Sequence, residues 1–237
     1  MYDLIEHILR GHSSQVWDIL ENDLPFVESD ESGWTPMHAA ALYDEYLIGE
    51  MLKKRGQTVA SFNDFGATAI HVAAAFAGNI NFLGANNEPS SLCIRSNDEN
   101  GSTPLHSAAT FGNIKAIKFL IKAGVHPDIR DNHGFTALHY AVGYRDQPRV
   151  IRELVELGVP ADDSDNADEV GPIYEAISVG FWGSVKTLVD MGVYFGHIDD
   201  KWLKYINTTN ATGWSSLFPH TRPPLKLDHV TGFGSTL

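Results

Sequence analysis

Cysteine is almost missing from this 237-residue chain: Cys93 is the only one, so no disulfide can form within it. Stability has to come from packing and hydrogen bonds. Long apolar runs are missing too, and no window approaches the roughly 20 residues that span a bilayer. The opening stretch MYDLIEHILRGHSS lacks a basic segment followed by an apolar one, so a secretory signal is not expected, and the location expected is cytosolic or reached by a route that needs no N-terminal signal. Positive charge is scarce, with 17 Lys and Arg against 30 Asp and Glu, a formal net charge of −13. That excludes a nucleic-acid groove and an anionic membrane surface as expected partners. It fits either plain solubility or a partner with a basic surface. Catalytic signatures are absent as well: there is no H-E-x-x-H, no G-x-S-x-G, no Ser/His/Asp arrangement and no phosphate-cradling glycine loop. No cofactor or metal is implied.

What is present is a unit. Residues 101–124 read GSTPLHSAATFGNIKAIKFLIKAG. Pro104 fits the first turn of a helix, because its fixed φ suits that turn and its missing N–H would be unused there. Leu105, Ala108 and Ala109 make a short apolar stripe of mostly small residues. Gly112-Asn113 breaks the helix, and Ile114, Ile117, Leu120 and Ile121 form a second stripe with Lys115, Lys118 and Lys122 on the wet face. Neither helix is long enough to be stable alone.

The unit recurs. Gly33 begins GWTPMHAAALYDEYLIGEMLKKRG, Gly66 begins GATAIHVAAAFAGNINFLG, and Gly134 begins GFTALHYAVGYRDQPRVIRELVELG; the four starts lie 33, 35 and 33 residues apart. A fifth, degenerate copy reads EVGPIYEAISVGFWGSVKTLVDMG, with Pro172 in the proline slot and Tyr174 in place of histidine. A period near 33 carrying T-P-L-H-x-A resembles the ankyrin repeat family from Gly33 to about Met191. The resemblance implies an all-α repeat solenoid of stacked antiparallel helix pairs, with β-hairpin-like fingers projecting between them. It divides the chain into a helical N-terminal cap over residues 1–32, repeats at 33–65, 66–100, 101–133, 134–168 and 169–198, and a C-terminal cap and irregular tail over 199–237.

In the cap, Leu4, Ile5 and Ile8 face one way on a first helix and Val16, Trp17, Ile19 and Leu20 on a second, with Ser13-Ser14 as the expected N-cap between them. Each connector places Asx residues before its glycine, as in Asn63-Asp-Phe-Gly66 and Asp131-Asn-His-Gly134, the residue types that tolerate tight turns. Two repeats depart from the pattern. After Gly84 the connector runs long behind a short second helix, and Gln147-Pro148 intrudes at the start of the second helix of the fourth repeat.

His38, His71, His106 and His139 recur once per repeat, which spaces them too widely for one metal ion. The resemblance implies a structural role, each ring hydrogen-bonded within and between repeats. The acidic run 162–169 lacks the spacing of a calcium loop and reads as a solvated connector. Cys93 reads as a buried or idle thiol rather than a nucleophile.

The unexplained feature is aromatic. Five residues after each motif histidine stand Tyr43, Phe76, Phe111 and Tyr144, with Val179 in the fifth copy. On the family fold that slot faces the groove. A column of rings there is either an interface stripe or packing between repeats. Finger positions add Trp34, Phe65, His133 and Phe135, which flank the turn glycines and are expected to project outward, Trp34 and Phe135 above all. The tail offers Ser235-Thr236-Leu237 and Arg222-Pro-Pro-Leu-Lys-Leu as linear motifs. The function expected is therefore a non-catalytic scaffold, monomeric alone, that holds a partner protein in its groove and finger tips, as an inhibitor, immunity or effector protein. A module presenting its C-terminal motif is the alternative, and an enzyme with an unrecognised site a remote third.

Overall fold

A computed structural model describes residues 2–161 and 171–193. The acidic connector 162–169, residues 199–237 and both tail motifs lie outside the described residues. Helices come in pairs: α1 (Leu4–Leu9) with α2 (Ser13–Glu21), α3 (Pro36–Leu42) with α4 (Tyr46–Lys54), and α5 (Ala69–Phe76) with α6 (Asn81–Ala85). A one-turn α7 (Pro89–Leu92) follows, then α8 (Pro104–Phe111) with α9 (Ile114–Lys122), α10 (Ala137–Tyr144) with α11 (Pro148–Glu156), and α12 (Pro172–Val179) with α13 (Trp182–Asp190). The first helix of each pair stacks on the first helix of the next, and the second helices form an outer row.

Small residues make the inner row possible. Ala39, Ala40, Ala73, Ala74, Ala108, Ala109, Ala141 and Ala176 are wholly buried, so inner helices approach closely, and Leu52, Ile117, Leu120, Ile151, Leu154 and Leu188 fill the space behind them. The N-terminal pair joins this stack: Leu4, Ile5 and Ile8 are buried as α1 meets α3. Asp3 caps α1 by accepting from the Glu6 N–H at 2.9 Å. Ser13 begins α2 instead of capping it. The N-cap is His12, whose side chain makes no capping bond.

Turns between paired helices carry polar residues that reach into a neighbouring repeat. Asp44, itself left-handed at φ 62°, accepts from the Phe82 N–H (2.8 Å) and the Asn81 amide (2.7 Å), capping α6 of the next repeat. Asn113 reaches back, donating to the Ala74 and Ala77 carbonyls. The intrusion at Gln147-Pro148 is absorbed the same way: Gln147 is buried and donates to the Ala109, Thr110 and Ala141 carbonyls. Asp146 accepts from the Gly183 and Ser184 N–H groups at 3.0 and 2.6 Å, capping α13 from the preceding repeat. Asp146→Ala leaves those two donors without this acceptor. It is expected to cost about 1–2 kcal/mol in urea unfolding, with faster amide exchange confined to α13. An unchanged midpoint would remove Asp146 from the list of inter-repeat braces.

Fingers are stitched by their Asx residues. Asp131 accepts from the His133 and Phe135 N–H groups, and Asn63 from Phe65 and Ala67. Successive fingers also bond edge to edge: Asp64 N–H donates to Ser32, Asn97 to Gly66 and Asn132 to Asn100, at 2.8–3.0 Å. Glycine is required at the tip for two reasons, seen best at Gly66. Its φ is 72°, and a Cβ there would stand 2.9 Å from the Asp98 nitrogen of the next finger.

Candidate functional site: the groove face

The inner-helix row fixes what the groove is made of. Helices α3, α5, α8 and α10 contain no Asp, Glu, Lys or Arg, and α12 contains one charged residue, Glu175. On this neutral floor the aromatic column stands at the C-terminal turns. Phe76 and Phe111 have ring centroids 4.4 Å apart and Phe111 and Tyr144 5.6 Å, both tilted, the geometry aromatic pairs prefer. Tyr43, Phe76 and Tyr144 are nevertheless 52%, 50% and 55% exposed, while Phe111 between its two neighbours is half-buried. Packing between repeats and exposure to solvent are thus properties of the same rings. Arg145 lies over the Tyr144 ring at 5.2 Å, so that ring already accepts a cation.

The finger residues divide. Phe65, 72% exposed, and His133 project from the tips as expected. Trp34 and Phe135 do not: both are half-buried, with rings 5.5 and 5.3 Å from His38 and His139. The glycine between them is a left-handed turn residue (φ 70° at Gly33, 86° at Gly134) and reverses the chain, so the residue after it starts the return limb toward the motif histidine while the residue before it stays at the tip. Exposed carboxylates of Asp30, Glu31, Asp64, Asp98 and Glu99 line the fingers. Burial acts to raise the Asp98 pKa, but hydrogen bonds from Ser96, Gly101 and Asn100 outweigh it and hold the carboxyl below its usual range.

The motif histidines belong to the scaffold. The Thr35 N–H donates to His38 Nδ1 at 3.1 Å, and the same bond recurs at His71, His106 and His139. A backbone N–H can only donate, so Nδ1 is unprotonated and Nε2 carries the proton. Nε2 of His38, His71 and His106 then donates to the Ala67, Ser102 and Phe135 carbonyls of the following repeat, at 3.0–3.1 Å. Burial lowers His38 and His71 below the usual imidazole range and His106 to about 4, against the opposing pull of those carbonyls. Among the described residues no group of three or more His, Cys, Asp or Glu could hold a metal ion. Cys93 is exposed, not buried. No helix among the described residues is long and apolar enough to cross a membrane.

A concavity of about 340 Å³ lies on the groove face between α8, α10 and α12. Phe135, Tyr140 and Tyr144 line it together with Gly143, His139 and Glu175. Tyr140 donates to the buried Asp131 at 2.8 Å and packs on His106 at 4.8 Å. Burial raises the Tyr140 phenol pKa far above its usual value, helped by that bond and by the negative charges of Asp131, Asp98 and Glu175. A Cβ at Gly143 would stand 2.6 Å from a Glu175 carboxylate oxygen, so the glycine is what lets that carboxylate lie over α10. Gly143 and Glu175 were not singled out in the sequence, because 32 residues and one degenerate repeat separate them.

Paired helices in two rows, neutral histidines bridging each repeat to the next and fingers bonded edge to edge define a helical repeat solenoid. Residues 80–165 match the family model for ankyrin repeats, described as three copies. Those residues carry ankyrin repeats, and the recurring unit extends the same pattern on either side of them. It is 31% identical over 150 residues to the nuclear factor NF-kappa-B p105 subunit of Gallus gallus, a match covering 62% of this chain and 15% of that protein. Among solved structures it resembles the ankyrin repeat domain of Bcl-3, a member of the IkappaB protein family, with TM-score 0.63 and 20% identity over 82% of this chain and 87% of that one. It also resembles one chain in the structure of a complex between the Bd0816 predatory endopeptidase of Bdellovibrio bacteriovorus and the immunity protein Bd3460, with TM-score 0.61 and 21% identity over 80% of this chain and 98% of that one. At those identities the likeness shows the fold. Ankyrin repeats are a protein–protein interaction module.

Proposed function

We propose that this chain is a non-catalytic binding protein that holds a partner protein on its groove face and exposed finger tips, binding being its whole activity. The observation that carries the reading is the ladder Phe76–Phe111–Tyr144, contiguous yet half-exposed on a row of helices almost free of charge. Rigid rings on a preformed helical face lose little conformational entropy on association, which suits them as anchors. His133 and the acidic fingers form a polar rim around the exposed Phe65 ring, fitting a partner with a basic surface. A role as inhibitor, immunity or effector protein follows naturally, since blocking needs affinity and no chemistry. The fold itself occurs in a complex that contains an immunity protein. Trp34 and Phe135 are assigned to the scaffold, from their contacts with His38 and His139.

The test is affinity capture from extract by the full chain, by Tyr43→Ala/Phe111→Ala, and by a chain lacking residues 207–237. The double variant is expected to lose at least about thirtyfold in affinity for the captured protein, roughly 2 kcal/mol, with its melting curve checked because Phe111 is half-buried. Loss on truncation with full binding by the folded double variant would favour a linear motif in the tail and sink the groove reading.

A further inference from the structure

The cavity at Gly143 differs in kind from the rest of the groove. Its walls are the rings of Phe135, Tyr140 and Tyr144, and it is also lined by Glu175, the single charged residue of helices α3, α5, α8, α10 and α12. Aromatic faces attract cations through their quadrupole, and a carboxylate supplies directional acceptors and net charge. Apolar anchors have no use for a charged lining residue, and an anion would meet repulsion from Glu175, Asp131 and Asp98. We propose that this cavity is a specific arginine pocket: it seats one arginine side chain of the partner protein, stacked against Tyr140 and Tyr144 and hydrogen-bonded to the Glu175 carboxylate.

Arginine fits better than lysine because a planar guanidinium can stack on a ring while its edge donates to a carboxylate. Glu175 already engages the protein, but a carboxylate offers about four acceptor sites and can take a guanidinium N–H in addition. Arg145 bears on the site from its rim: it stacks on Tyr144 and leaves the cavity lining to the rings and Glu175. Gly143 is the enabling residue. The equivalent positions in the other inner helices are Leu42, Ala75, Thr110 and Ser178, and any side chain at position 143 would displace the Glu175 carboxylate. The chain's net charge of −13 favours approach of a basic segment from a distance, and the pocket then fixes its register.

The inference rests on the groove reading but is tested without the partner. The probe is the tripeptide acetyl-Gly-Arg-Gly-amide, titrated into isotope-labelled full-length protein and followed by amide chemical shifts. Its counterpart carries citrulline, which has the shape of arginine without the charge. Saturable shifts are expected at residues 140–144 and at Glu175, with the citrulline peptide at least about fivefold weaker. Glu175→Gln and Tyr144→Leu, each with a melting curve near that of the parent, are expected to weaken the arginine peptide by a similar factor. Shifts confined to the acidic finger tips, equal binding of citrulline, or no response to Glu175→Gln would each overturn the pocket. If that happens while Tyr43→Ala/Phe111→Ala still loses its captured partner, the pocket alone is refuted. If capture survives the double variant, the groove reading fails whatever the tripeptide does.

Discussion

Lowering the pH from about 7 to about 4.5 is expected to strip stability from the array before its ordinary carboxylates protonate. The unfolded chain binds protons on histidine near pH 6.5, whereas burial holds His38 and His71 below that value and His106 at about 4. In that interval the unfolded state takes up more protons than the folded one. The histidine contribution is therefore whole above about pH 6.5 and lost as pH falls toward 4. His106 alone accounts for about 3 kcal/mol when the descent is complete, a large share of a typical domain's stability. The structural cause is specific. A proton on Nδ1 turns the acceptor for the Thr103 N–H into a second donor and breaks the bond that starts α8. Asp98, held below the usual carboxylate range, releases its contribution only at lower pH, so the two windows separate. Urea midpoints at several pH values decide the matter; stability that is flat between about pH 7 and pH 5 would mean the histidine bridges are not as buried and neutral as described.

Phe82→Ala is expected to be the most damaging truncation in the second repeat, at roughly 3–5 kcal/mol. Phe82 is wholly buried, and its ring edge lies across Gly49 of α4, where a Cβ would stand 2.8 Å from Cε2. The outer layer of this repeat is otherwise thin, consisting of the five-residue α6, the four-residue α7 and the buried Leu83 and Leu92. Elements that short have no helical stability of their own, so removing the ring should unmoor residues 78–95 as well as lower the global midpoint. Phe82→Leu, which keeps most of the volume, should cost much less. Amide exchange across 78–95 separates local from global loss. A change below about 1 kcal/mol, with that segment still protected, would show that the repeat is held by something other than this ring.

Much of this architecture was legible from the chain because its information is local. T-x-x-H at the head of an inner helix specifies a capped first turn, a histidine back-bond and an apolar stripe within a few residues, and α3, α5, α8 and α10 follow, with proline starting the turn in α3 and α8 and alanine in α5 and α10. What could not be read were contacts between side chains a full repeat apart. Asp44 capping α6, Asp146 capping α13 and Gln147 reaching Ala109 depend on the stacking distance between helices, which no spacing in the sequence supplies. The inward turn of Trp34 and Phe135 follows from finger geometry, where the sequence shows only their adjacency to glycine. The four column aromatics were visible as a periodicity, but whether they touched, were exposed or both required the coordinates. Glu175 stayed hidden because it sits in the most degenerate repeat and gains meaning only opposite Gly143.

The most direct measurement of the central claim is a hydrogen-exchange footprint of the full chain, free and saturated with its captured partner. The account predicts slowed exchange over residues 107–112 and 140–144 and at the finger tips around Phe65 and His133, with the outer helices α4, α9 and α11 unchanged. Protection on those outer helices, or confined to residues 194–237, would contradict it.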